Sequence, residues 1–296
     1  MKVLVTGGTG YLGSNLVKAL LRGGHEVIVL KRSFSDTRRI NDVLVSIVTC
    51  DLDLCDMRGP FQQHGNIDAV IHTATCYGRK GEPFSEILQA NTLFPAQLLE
   101  SAIACKVPMF VNADTGLPCN LNPYALSKKQ FADWGRYYAN LGRIRFVNLQ
   151  LEHFYGPGDD ESKFSTHVIQ SCLKNLPELK LTKGEQKRDF IYIDDVVQAF
   201  LLMMNAPERQ PGFMDCAVGL GEAVTIREFV ETVARLTGAT TFLDFGAIPY
   251  RENELMESIA DISTCVRLGW RPEVSLEQGL QKTLESERQA QEKGQR

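Results

Sequence analysis

Three glycines at a spacing of three, Gly7, Gly10 and Gly13, separate a short β-branched run from an amphipathic stretch in Thr6-Gly7-Gly8-Thr9-Gly10-Tyr11-Leu12-Gly13. Glycine is demanded where a chain turns sharply, where backbone must approach another group closely, and where a helix lies directly against a strand. A strand that runs straight into such a turn and then a helix leaves N–H groups at the helix start, and an anion is their natural occupant. Glycines also serve βα turns for geometry alone, but a position directly after the first strand favours a binding role. The segment therefore predicts a dinucleotide turn lined by Gly7, Gly10, Tyr11, Leu12 and Gly13.

The rest of the first half repeats this alternation. Val3–Val5, Val27–Leu30, Val45–Val48, Ala69–Ile71, Met109–Val111 and Phe146–Leu151 read as strands, and Tyr11–Arg22, Glu86–Ala104 and Tyr124–Asn140 show the three- and four-residue apolar spacing of helices. Repeated βα order predicts an α/β fold with a doubly wound parallel sheet. After about residue 155 the pattern breaks into short elements punctuated by Pro177, Gly184, Pro207, Pro211, Gly212 and Gly246. We expect a dinucleotide-binding domain over residues 1–155, joined by about 187–205, with Phe190–Ile193 returning to the main sheet. A smaller α+β lobe would occupy 156–296, ending in a loosely ordered charged tail over 287–296.

Composition removes several function classes. A net charge of −4 and an isoelectric point near 5.8 argue against duplex nucleic acid as a partner. No apolar run approaches the roughly 20 residues a bilayer span requires, and residues 1–6 read as a strand rather than a leader, so a cytoplasmic protein is expected. The eight cysteines are scattered, with no Cys-x-x-Cys pair, and suggest neither a metal site nor a disulfide framework.

Two local features sharpen the expected site. The second strand ends in Leu30-Lys31-Arg32-Ser33, where an acid would hold a ribose 2′-hydroxyl; Lys31 and Arg32 instead suit a 2′-phosphate, which favours NADPH while leaving NADH possible. These two side chains could equally solvate a loop. Asp51-Leu52, after the third strand, could receive the adenine amino group or form a solvated turn. Tyr124 and Lys128 lie four residues apart on one helix face, where an ammonium is expected to lower the phenol's proton affinity and ready it for proton exchange.

With Val70-Ile71-His72-Thr73-Ala74, Asn91 and Pro123-Tyr124-x-x-Ser127-Lys128 added to the glycine turn, the chain resembles the extended short-chain dehydrogenase/reductases over nearly its whole length. That resemblance implies a catalytic set of Thr115, Tyr124 and Lys128, with Thr73, Ala74 and Lys128 beside the cofactor. It also implies a nucleotide-sugar substrate met by Tyr77, His153, Arg188 and Arg251. His153 stands where the family often has asparagine, and Arg188 could instead be an ion-pair partner of Asp189 or Asp195. Within the family, Cys76-Tyr77-Gly78-Arg79, Leu151-Glu152-His153-Phe154-Tyr155-Gly156 and Asn253-Glu254-Leu255-Met256 resemble the branch that reduces C4 of CDP-4-keto-3,6-dideoxyglucose, with the paratose-forming members the nearer.

Three functions follow from the resemblance. The favoured one is NADPH-dependent ketone reduction on a CDP-linked sugar; the second is a 4-epimerase that keeps NAD bound; the third is a dinucleotide-sensing protein without chemistry. A dehydratase would carry an acid pair directly after the triad threonine, where Gly116-Leu117 stands. The helices Glu86–Ala104 and Tyr124–Asn140 are expected to form a homodimer contact.

Overall fold

The structure, a computed structural model, describes residues 1–205 and 212–294. These fall into two compact units. The first comprises the described residues of Met1–Leu151, Val197–Ala217 and Arg267–Trp270, and the second those of Glu152–Val196, Val218–Val266 and Arg271–Arg296.

The first unit is built on a seven-stranded sheet: β1 (Lys2–Thr6), β2 (Glu26–Lys31), β3 (Val48–Asp51), β4 (Ala69–His72), β5 (Met109–Thr115), β6 (Arg145–Leu151) and β7 (Gly212–Val218). The strand order is β7-β6-β5-β4-β1-β2-β3, and the pairings among β1 to β6 are all parallel. This is the doubly wound order, with its topological switch between β1 and β4. Central strands of such a sheet are buried on both faces, so Val3, Leu4, Val5, Val70 and Ile71 are all fully buried in continuous apolar runs.

The third strand begins three residues later than its apolar run suggests. Arg38–Ser46 winds into a 3₁₀ helix that buries Ile40 and leaves Val45 98% exposed, and β3 starts only at Val48. The expected helix over Glu86–Ala104 is three pieces: Phe84–Leu88, a π turn over Gln89–Leu93, and Phe94–Ala104. Pro95 explains the break, because its ring crowds the carbonyl four residues earlier, that of Asn91, and a wide turn relieves the clash.

The Pro123–Asn140 helix is placed by its start and its core. Asn122 caps it by accepting from the Ala125 N–H at 2.8 Å, and Pro123 occupies the first helical position, where a missing N–H costs nothing. Phe131 then packs edge-on against Phe110 and Phe146, whose rings stack 5.3 Å apart across β5 and β6. Gly135 lets the helix approach closely, since a Cβ there would lie 2.3 Å from the Phe146 ring.

The second unit contains three small sheets. His153–Tyr155 pairs in parallel with Phe190–Tyr192; Val224–Thr225 and Glu257–Ser258 flank Lys187–Arg188; Phe242–Phe245 pairs with Glu178–Leu181. Phe190 thus joins His153–Tyr155 rather than the main sheet, where β7 takes the position expected of it. The core is aromatic: Phe190 stacks on Phe229 at 4.2 Å, and Tyr155 packs edge-on against both. Thr225 and Glu228 form a capping box that starts the Ile226–Thr237 helix. The tail expected to be loose is a helix, Leu276–Gly294, because Leu280, Thr283 and Leu284 bury one stripe of it. Pro207, Pro211 and residues 295–296 lie outside the described residues. No helix among the described residues is long and apolar enough to cross a membrane.

Candidate active site

The carboxyl ends of β1 to β5 gather most of the residues singled out in the first unit. Gly7 has φ +70°, and a Cβ on it would lie 2.5 Å from the Ala74 N. Thr73 closes the same corner, its N–H and hydroxyl both donating to the Thr6 carbonyl. A Cβ on Gly13 would meet the Gly7 carbonyl oxygen at 2.1 Å, so the Tyr11–Arg22 helix begins in contact with the turn. Gly10, its N-cap, provides no side-chain cap, so the first-turn backbone donors of the helix face the turn. Gly7, Gly10, Gly13, Thr73 and Ala74 therefore meet in one tight corner, with Tyr11 and Leu12 opening the helix beside it.

The side chains at the ends of β2 and β3 are more committed than the sequence suggests. Lys31 Nζ is paired with the Asp51 carboxylate, and the Leu52 N–H donates to the Lys31 carbonyl. Lys31 is thus occupied, and the Asp51 Oδ1 already has a donor. Arg32 lies exposed over the Phe34 ring at 4.7 Å, while Arg39 lies over the Tyr11 ring at 5.5 Å, beside the glycine turn.

At the start of the Pro123–Asn140 helix, Tyr124 is partly buried and Lys128 is 2% exposed. Burial, reinforced by Tyr77 and Asp114, raises the Tyr124 phenol well above its ordinary value, against a hydrogen bond with Thr115 and the charge of Arg79. This corrects the expectation that the neighbouring lysine lowers it: desolvation of the phenol is the largest influence and outweighs the Arg79 charge and the Thr115 hydrogen bond. Burial lowers the affinity of Lys128 for its proton, and Asp114 opposes that shift. Among the described residues Lys128 has no ion pair, so a ribose hydroxyl pair would satisfy a buried ammonium. His72, fully buried with its Nδ1 2.7 Å from the Thr6 hydroxyl, is held neutral by burial and by Lys128.

Thr115 ends β5, and its Oγ1 accepts from the Leu117 N–H at 3.3 Å. Tyr77 lies beside Tyr124, with ring centroids 5.1 Å apart, and Arg79 stacks over Tyr77 at 4.5 Å. Thr115, Tyr124, Lys128 and Tyr77 thus form one cluster.

In the second unit, His153 Nδ1 lies 3.4 Å from Glu152, whose two carboxylate oxygens accept from the Ser258 hydroxyl at 2.9 Å each. Arg188 is 8% exposed and bound to Glu254 at 2.8 Å and to its neighbour's carbonyl. Its partner is Glu254, not Asp189 or Asp195, and its guanidinium is spent there. Asp189 instead clamps loop backbone, accepting from the N–H groups of Leu220, Gly221 and Ala260. Arg251 is exposed, and among the described residues its guanidinium has no ion pair.

Known proteins resemble this chain over most of its length. Residues 3–219 match the family model for the NAD dependent epimerase/dehydratase family. The chain belongs to that family. Its relatives include CDP-abequose synthases of Salmonella typhimurium, 33% identical over 95% of this chain and 97% of the relative, and of Salmonella muenchen, 35% identical over 96% and 97%. Among solved structures, the UDP-glucose 4-epimerase of Thermus thermophilus in complex with NAD is 27% identical, with a TM-score of 0.84 over 98% of this chain and 100% of that one. Beside the cluster lie two buried polar residues that the sequence assigned no role. Asn91 is fully buried in the π turn, and Asp114 is buried directly before Thr115. A polar residue inside an apolar strand or helix pattern was the available signal for both.

Proposed function

We propose that this protein reduces the C4 ketone of a nucleotide-linked deoxysugar, taking CDP-4-keto-3,6-dideoxyglucose and NADPH in the cytoplasmic synthesis of a lipopolysaccharide-type dideoxysugar. What carries the reading is the grouping of Tyr124 with Thr115 and the buried Lys128 at the end of β5: a phenol there can give a proton, and ketone reduction consumes one. Likeness to CDP-abequose synthases over nearly the full chain supports the CDP-sugar and moves the preferred product from CDP-paratose to CDP-abequose.

A bound nicotinamide supplies the hydride. Thr115 donates its hydroxyl to the C4 oxygen and orients it, and Tyr124 delivers its phenolic proton to that oxygen as negative charge develops there. Lys128 holds the nicotinamide ribose. Gly7, Gly10, Tyr11, Leu12 and Gly13 cradle the pyrophosphate, with Thr73 and Ala74 alongside. With Lys31 bound to Asp51, we assign a 2′-phosphate to the guanidinium groups of Arg32 and Arg39, and adenine to Asp51 and Leu52. We assign Tyr77 to the sugar, and His153 and Arg251 to the diphosphate; the Glu254 pair withdraws Arg188 to a supporting role.

Incubation with NADPH and CDP-4-keto-3,6-dideoxyglucose is expected to consume the nicotinamide absorbance, with NADH and a dTDP-4-keto-6-deoxyglucose control giving little. No consumption with either sugar favours the second reading, a 4-epimerase with retained NAD, which the NAD-bound Thermus thermophilus relative supports.

Leu126, Trp134, Tyr137 and Leu141 are exposed along or just beyond the Pro123–Asn140 helix, with Phe84 and Leu93 exposed on the preceding helical segment. These apolar side chains support a homodimer through those helices, and a dimer mass in solution checks it.

A further inference from the structure

Asp114 is an acid that the proposed chemistry leaves without a task. It is the penultimate residue of β5 and only 6% exposed. Side chains alternate along a strand, so Phe110, Asn112 and Asp114 share one face, the face on which Phe131 of the Pro123–Asn140 helix packs. Both carboxylate oxygens are engaged: Oδ1 accepts the Thr115 N–H and Oδ2 accepts Asn148 Nδ2, each at 2.8 Å. Asn148 is held in turn, because its Oδ1 accepts from Asn112 at 2.7 Å and its Nδ2 also donates to Asp215, which Arg136 faces at 3.4 Å. Among the described residues every donor that touches Asp114 is neutral, so no contacting cation cancels its charge. Among the described residues Lys128 likewise has no ion pair, though it is buried one helix turn beyond Tyr124.

The helix that bears Lys128 packs on the face of β5 that bears Asp114, both side chains are buried, and the Asp114 charge favours the ammonium form of Lys128 without contact, since little solvent screens the two. We propose that Asp114 is a positioning residue of the Thr115, Tyr124 and Lys128 site, fixing the Thr115 backbone and acting through space as the counter-charge that keeps Lys128 an ammonium and Tyr124 a phenol. The other groups facing these two side chains do not supply that charge. Tyr77 and Arg79 face Tyr124 from the loop after β4, one neutral and one cationic, and His72 faces Lys128 as a neutral ring. The inference rests on the reductive reading, in which the site must hold a proton to give.

Asp114→Asn keeps the shape and removes the charge; Asp215→Asn removes an acid from the same network one residue further out. The pH profile of NADPH-dependent turnover is expected to lose its alkaline limb earlier in Asp114→Asn, by on the order of one pH unit, while Asp215→Asn leaves the limb in place. A limb that coincides with the parent's, or that moves equally in both variants, overturns the proposal. Should Asp114→Asn fail to fold, or the parent turn over no ketosugar, the phenol itself is read. The ultraviolet titration difference between the parent and Tyr124→Phe isolates Tyr124. Read in the same way for Asp114→Asn, or for Asp114→Ser where the asparagine variant does not fold, a Tyr124 that ionises lower than the parent's supports the proposal, and one that ionises where the parent's does overturns it, whatever the substrate proves to be.

Discussion

Asn91 Nδ2 donates to Ser127 Oγ at 3.0 Å and to the Cys76 carbonyl at 2.8 Å, so one buried amide ties the helix that bears Tyr124 and Lys128 to the loop that bears Tyr77. The other end of the amide closes the arrangement, its Oδ1 accepting from the Cys76 N–H and the Thr75 hydroxyl. Ser127 passes the restraint on by donating to the Tyr124 carbonyl at 2.8 Å. The π turn at Gln89–Leu93 is what presents Asn91 to both partners.

Asn91→Ala leaves several of these buried groups without partners, each costing about 1–3 kcal/mol. We expect a destabilisation of about 3 kcal/mol in denaturant unfolding, and a turnover loss that exceeds the loss in cofactor affinity. Unchanged turnover in a folded variant would remove Asn91 from the site's support.

Tyr124 bears on pH dependence. Its proton affinity is raised by burial, so the donor form survives above the ordinary phenol value rather than below it. The rate of ketone reduction should therefore show no fall that belongs to Tyr124 between about pH 7 and about 9.5. A rate that rises with pH through neutrality would mean that phenolate is the active form.

Gly13→Ala places a methyl group 2.1 Å from the Gly7 carbonyl oxygen, and both groups are backbone-anchored. Neither can yield without opening the turn. Dinucleotide affinity is expected to fall by at least about a hundredfold, by analogy with the loss of several aligned hydrogen bonds to phosphate, as read by quenching of protein fluorescence. Near-parental affinity would contradict the cradle.

Arg32→Ala and Arg39→Ala test the choice of cofactor. Each should weaken NADPH binding about tenfold, the loss of one charge-assisted contact, and leave NADH nearly unaffected. Equal weakening of both cofactors would mean that the arginines meet something other than a 2′-phosphate.

The parts legible in the sequence are those written in local spacing. The glycine turn, the Tyr124 to Lys128 interval and the parallel βα order each follow from residues within a few positions of one another. Partners distant in sequence were not legible: Arg188 meets Glu254 66 residues away, Lys31 meets Asp51 across β2 and β3, and Phe190 joins His153 rather than the main sheet. The Tyr124 phenol misled for the same reason, because its nearest charge in sequence is a lysine, whereas burial by the surrounding fold is the larger influence. The Leu276–Gly294 helix was readable in principle, since Leu280, Thr283 and Leu284 mark one face, but its charged composition obscured the stripe.

The central claim is that hydride passes from the nicotinamide to C4 of the sugar and stays there. Reaction of CDP-4-keto-3,6-dideoxyglucose with NADPH deuterated at the transferring position, followed by proton and deuterium NMR of the product, tests it most directly. The account predicts one deuterium at C4 of a CDP-3,6-dideoxyhexose in the parent, and none with Tyr124→Phe, which still binds the cofactor. Recovery of the 4-keto sugar unreduced, with the deuterium still on the nicotinamide, would contradict the account.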